Sequence, residues 1–214
     1  MDLSQEATWA YYESQLASFD AVFLAPDCKT FCPARRFPGG PELLRTKDRP
    51  LGLPKWSLSE GDHKKVKTHN FFAIKSAKFV EACATLGKPV LLENPEPWEP
   101  STATIWDLEE FKSLLARRSA VIIDFDQCMF GAETAKPTRL MGFNVAAPVP
   151  SVRCNHTPRY WNYTDHRGNS AWHWGPHPPL VNRSRGGEFA TAAAAVYPPK
   201  LNAALAAALS GSSS

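Results

Sequence analysis

Three apolar runs in this chain each end in residues that can do chemistry. The run at 19–25 is followed by Pro26, Asp27 and Cys28, the run at 88–93 ends in Glu93 and Asn94, and the run at 120–125 leads to Gln127. A cysteine is a nucleophile as its thiolate, and nearby cations lower its pKa; Lys29, Arg35 and Arg36 follow Cys28 closely. A carboxylate such as Glu93 can stabilise charge that develops on a substrate. Taken singly, a Cys after a strand also reads as a small buried hydrophobe, and a Glu at a strand end as a solvated group. Their occurrence on successive runs carries the chemical reading. A second cluster lies downstream: Cys154, His156, His166, His173 and His177 fall within 24 residues, among Tyr160, Trp161, Tyr163, Trp172 and Trp174. Thiol and imidazole ligands suit Zn²⁺, although the single residue between Cys154 and His156 is not a usual finger spacing. The aromatic residues suit either stacking on an unpaired base or a small satellite core.

The elements that must position these groups follow from periodicity. Residues 3–18 carry Trp9, Tyr12 and Leu16 at helical spacing, with Phe19 next in the series. A helix is predicted over 63–86, with Phe72, Ala73, Ser76, Ala77, Val80, Cys83 and Ala84 on one face and Gly87 to end it. Another is predicted over 104–117, with Ile105, Leu108, Phe111 and Leu115 inward. Strands are predicted at 19–25, 88–93 and 120–125. Helices alternating with apolar strands predict an α/β fold with a mainly parallel sheet. In such sheets ligands gather at the carboxyl ends of the strands, where Cys28, Glu93 and Gln127 stand. Residues 27–62, punctuated by Pro and Gly, read as one long loop, a feature that is usually either functional or disordered. After Met141 the pattern dissolves into an irregular Pro/His/Trp-rich section. It recovers in an alanine-rich helix at 200–209, introduced by Pro198 and Pro199, before a flexible serine-rich tail.

Bulk properties narrow the class. Hydrophobic residues at 43% and charged residues at 21% are ordinary for a globular protein. No apolar run reaches the roughly 18 residues of a membrane span. The polar, acidic start at Met1-Asp2-Leu3-Ser4 is unlike a secretory signal. Five cysteines at irregular spacing form no disulfide framework, so an intracellular, reduced setting is expected. The net charge of +3 is uneven: residues 29–70 hold ten Lys/Arg against four Asp/Glu, and residues 144–185 five Arg against one Asp. Two basic stretches on an otherwise acidic body predict either a polyanion-binding surface or two solvated loops.

The segments Leu24-Ala25-Pro26-Asp27-Cys28-Lys29-Thr30-Phe31 and Leu91-Leu92-Glu93-Asn94-Pro95 resemble those of the DNA (cytosine-5) methyltransferases. In that family one strand ends in Pro-Pro-Cys-Gln-x-Phe-Ser and a later one in Glu-Asn-Val. The resemblance covers roughly residues 19–140 and 188–207 and extends to methylase-like domains of phages and mobile elements. It implies an incomplete Rossmann-like sheet and a reaction on a cytosine flipped out of DNA. Cys28 would add to C6, Glu93 would assist at N3, and S-adenosylmethionine would supply the methyl group. Asn94, Gln127, Arg35, Arg36 and Arg139 would contact substrate or DNA. Gln127 matches a Gln-x-Arg motif whose Arg is here Met129, with Arg139 the nearest substitute. Pro26, Asp27 and, from the similar Tyr197-Pro198-Pro199-Lys200-Leu201-Asn202 segment, Asn202 would lie toward the cofactor.

Two departures qualify what the resemblance implies. Asp27 replaces the second proline, and a carboxylate there is expected to raise the Cys28 pKa. No Gly-rich cofactor turn precedes Cys28, so the donor-binding half is expected as a separate N-terminal part or second subunit. The corresponding division is a partial methyltransferase-like domain at 1–143, an irregular basic His/Trp-rich insertion at 144–187, a returning segment and helix at 188–209, and a tail at 210–214. The rival expectations are a zinc-stabilised nucleic-acid-binding module and a catalytically dead remnant. On the catalytic reading, Cys28 and Glu93 must meet on one side of neighbouring strand ends.

Overall fold

A computed structural model describes residues 2–36, 41–146, 148–165, 168–179 and 195–210. Its elements in chain order are α1 (Glu6–Ser14), β1 (Val22–Leu24), α2 (Glu60–Thr85), β2 (Val90–Pro95), α3 (Glu109–Leu115), β3 (Val121–Asp126), β4 (Pro137–Phe143), β5 (Arg159–Thr164), β6 (Ser170–Gly175) and α4 (Pro199–Leu209). Ser59 caps α2 by accepting from the Asp62 backbone N–H, with Glu60 and Asp62 in the first turn, where acidic groups complement the helix dipole.

The fold is α/β, but the main sheet is mixed rather than mainly parallel. Its order is β1-β2-β4-β3. Only β1 and β2 pair in parallel; β4 lies between β2 and β3 and is antiparallel to both. The difference comes from residues 137–143, which form a strand where the sequence pattern predicts none. A short 3₁₀ turn at Gln127–Phe130 reverses the chain, so that it pairs back on β3 without a crossover helix. Because β4 opposes both neighbours, β1, β2 and β3 still point the same way. Their carboxyl ends share one edge of the sheet.

Each face of the sheet is covered. One core joins Val90, Leu92, Met141 and Phe143 to Ala73, Ala77, Val80 and Cys83 of α2, to Phe111 and Leu114 of α3, and to Trp9 of α1. The other joins Leu91, Leu140, Ile123 and Phe125 to Leu201, Leu205 and Ala208 of α4. Alternation along β2 therefore sends Leu91 and Glu93 toward α4, and Leu92 and Asn94 toward α2 and α3. The sheet is closely packed at Gly142, where a methyl group would come within 2.6 Å of the Leu91 side chain.

Part of the section expected to be irregular is a regular hairpin. β5 and β6 pair antiparallel from Arg159 opposite Gly175 to Thr164 opposite Ser170. Asp165 closes its end by accepting from the Asn169 backbone. Residues 180–194 of the expected insertion and returning segment, and the tail from 211, lie outside the described residues.

Candidate functional site

Cys28 follows β1, and Glu93 stands in β2, its parallel neighbour. The structure brings the two within electrostatic reach of each other, together with Lys136 and Tyr197. Glu93 is 6% exposed; its Oε2 accepts from the Tyr197 hydroxyl at 2.8 Å. Its Oε1 lies 3.8 Å from the Lys136 ammonium and is buried with no hydrogen-bond donor. The Lys136 ammonium also sits 5.1 Å above the Tyr197 ring. Lys136 holds a left-handed backbone, φ 38°, just before β4. A non-glycine residue is rarely found there, and such strain concentrates at functional sites.

The half-buried Cys28 thiol is held well above the ordinary range for cysteine. The hydrogen bond to Cys32 is the largest cause, followed by burial, the charge of Cys32 and the charge of Glu93, while Lys136 pulls the other way. Tyr197 is likewise pushed up, by burial first and then by Glu93. Asp27, expected to raise the thiol, is turned elsewhere. It accepts from the Lys29 backbone, pairs with the Lys29 ammonium at 3.1 Å and lies 3.8 Å from His69 Nε2. The expected cations also differ. Lys29 is taken by Asp27, Arg35 donates to the Lys29 and Glu42 carbonyls, and the Arg36 side chain lies outside what is described. Lys136 takes their place. Nothing in the local sequence distinguishes Lys136, because the left-handed turn that aims it depends on β4.

Other expected site residues are engaged structurally. Asn94 is fully buried and donates to the Pro26 carbonyl, tying the Cys28 turn to β2. Gln127 is fully buried and donates to Thr138 Oγ1. Arg139 does not reach the site: it makes two bonds of 2.7 and 2.8 Å to Asp124, and as the cross-strand partner of Asn94 it lies on the opposite sheet face from Glu93. Pro26, Asp27 and Asn202 form no cradle. Asn202 is exposed on α4 with its amide on the Tyr197 carbonyl, and the first two are occupied as described. These residues do not fit an S-adenosylmethionine site.

The loop after Cys28 is organised around Arg45, which is 1% exposed. Its guanidinium lies 3.6 Å over the Phe31 ring and donates to Thr30 Oγ1, Asn70 Oδ1 and the Pro50 and Val66 carbonyls. Burial lowers its pKa, and these acceptors compensate a charge that would otherwise be costly to bury. Part of the basic excess is therefore neutralised within the chain: besides the buried Arg45, the half-exposed Lys47 pairs with Asp107 and the exposed Lys65 with Asp62. Arg49, Lys55, Lys64 and Lys67 remain exposed.

The Cys/His-rich section also converges. Cys154, His156 and His177 come together, but with Cys128 from the turn after β3, a residue that sequence spacing gave no reason to include. His173, on β6, is not in that group, and His166 lies outside the described residues.

Compared with known proteins, the chain matches no family model, and neither a curated protein nor a solved structure shows significant similarity to it. Among the described residues, no helix is long and apolar enough to cross a membrane.

Proposed function

We propose that this chain carries the base-activating part of a DNA cytosine-5 methyltransferase-like site. Cys28 is its nucleophile and Glu93 its carboxylate. The observation that supports this reading best is the buried, donor-free Oε1 of Glu93 beside a cysteine and a lysine at neighbouring strand ends. A buried acceptor with no partner costs about 1–3 kcal/mol, and a bound donor would recover that cost. The exocyclic amine of cytosine is such a donor. Once Cys28 has passed its proton to water, its sulfur lone pair adds to C6 and the C5–C6 π electrons move through C5 and C4 onto N3. Glu93 Oε1 accepts from the exocyclic amine, and a proton carried on the same carboxyl group is donated to N3 as the negative charge reaches it. S-adenosylmethionine, the donor that the resemblance implies, would be held by a further part or partner.

DNA containing 5-azacytosine tests this directly, because the ring nitrogen at position 5 makes C6 more electrophilic and permits addition without a methyl donor. Mass spectrometry should find an adduct on Cys28. Cys28→Ser should abolish it, and Glu93→Gln should slow it by about 10²-fold or more. Absence of any adduct, or its survival in Cys28→Ser, would contradict the reading.

A second reading, nucleic-acid binding without chemistry, is favoured by the hairpin. Tyr160, Trp172 and Trp174 are 68%, 67% and 58% exposed on one face of β5 and β6. Stacked bases are a natural partner for such rings. Single-stranded DNA should quench tryptophan fluorescence, and Trp172→Ala should weaken binding by about 1–3 kcal/mol. Unchanged affinity in that variant counts against the hairpin.

A further inference from the structure

We infer that Cys128, Cys154, His156 and His177 form a structural zinc site that clamps the β5–β6 hairpin to the end of the main sheet. The four donor atoms lie within 4.8 Å of one another. Cys154 Sγ is 3.4 Å from His156 Nδ1 and 3.4 Å from His177 Nε2, and the two ring nitrogens are 3.2 Å apart. A tetrahedral zinc ion with bonds of about 2.3 Å to sulfur and about 2.05 Å to nitrogen requires edges of about 3.5 Å and about 3.3 Å. Three vertices therefore already stand at the spacing of one small cation, and a shift of about 1 Å or less brings Cys128 to the fourth.

The orientation of His177 suits a metal ligand. Its Nδ1 lies 2.8 Å from the Glu133 carbonyl oxygen, which can only accept. Nδ1 therefore carries a proton, and Nε2 is the ring nitrogen that faces both Cys154 and His156. A ligating histidine is held in this way when its outer N–H is anchored to a carbonyl. Cys154 is set with equal care: its backbone N–H donates to Asp126 Oδ2 at 2.7 Å, and the Asp126 N–H donates to the Val152 carbonyl. The donors come from three separated stretches, namely the turn after β3, the segment at 152–156 and the stretch after β6. Two thiolates and two imidazoles favour zinc over the hard cations, and four protein ligands leave no open position for catalysis.

The site shares no residue with Cys28 and Glu93, so its failure and theirs are separable. The full chain, purified without chelator, should contain about one zinc per chain by elemental analysis. Cobalt exchanged into it should show the d–d bands of a tetrahedral ion and a thiolate-to-cobalt charge-transfer band, which reports the cysteines without mutation. His156→Ala, which removes the exposed ligand with least risk to folding, should lower zinc affinity by 10-fold or more, as should Cys154→Ser. His173→Ala should leave zinc binding unchanged. Folded wild-type protein without zinc and without cobalt bands, or His156→Ala and Cys154→Ser variants with undiminished affinity, would overturn the inference.

Discussion

The proton on Cys28 is controlled by three neighbours with opposite signs. Cys32 and Glu93 hold it on, and Lys136 favours its loss. The direction of each substitution follows. Cys32→Ala and Glu93→Gln should lower the apparent pKa of Cys28, whereas Lys136→Met should raise it further. Alkylation of Cys28 by iodoacetamide across the alkaline range reads these shifts, since only the thiolate reacts. A profile indifferent to Lys136 would mean that the ammonium does not face the thiol. At the same scale, Arg45 is the residue on which the long loop depends. Arg45→Met should lose about 3 kcal/mol of stability, because Thr30, Asn70 and two carbonyls would be left without their donor. Chemical denaturation measures it directly.

Among the elements, β4 determines the site. It inserts between β2 and β3, and the turn just before it aims Lys136 at Glu93. Its fit against β2 leaves no room at Gly142, where a Cβ would also meet the Val90 carbonyl at 3.1 Å. Gly142→Ala should destabilise the protein by about 1–3 kcal/mol, as overpacking does, and weaken reaction at Cys28 through the displaced Lys136. A lower melting temperature with unchanged alkylation would separate the two effects. The three strands read from the sequence are apolar runs, the first two of them bounded by Pro or Gly. β4 contains Arg139 and Gly142 and begins at Pro137, so its local pattern does not mark it as a strand; its partners on both sides do. In β5 and β6, the alternation of Tyr160, Asn162 and Trp172, Trp174 is strand-like, but the density of proline and histidine around it obscured the pairing.

At the scale of the whole molecule, buried acids set the alkaline limit of stability. Burial raises Cys83 to about 11, and Cys28 and Tyr197 are raised as well. A group whose folded pKa exceeds its unfolded value contributes fully below the unfolded value and loses that contribution as pH rises through the folded one. Stability should therefore be level up to about pH 8.5 and decline above it, by on the order of 2–3 kcal/mol for Cys83 alone by about pH 11. Cys83→Ala should flatten that decline in denaturant titrations run at increasing pH. The basic excess has a similar two-level character. Arg45 and Lys47 are spent inside the fold, so salt-sensitive binding to a polyanion should respond to Lys55→Ala and Lys64→Ala.

The sequence by itself determined the α/β class, three co-directional strands with their helices, and the order in which Cys28, Glu93 and Gln127 reach one sheet edge. Those follow from local periodicity and punctuation, which each segment carries on its own. Only the tertiary structure decided the antiparallel insertion of β4, the choice of Lys136 over Arg139, the diversion of Asp27 to Lys29 and His69, and the addition of Cys128 to the histidines. Each of these depends on which distant groups share a face or a turn. Burial and charge act through space, and neither sequence spacing nor residue type records it.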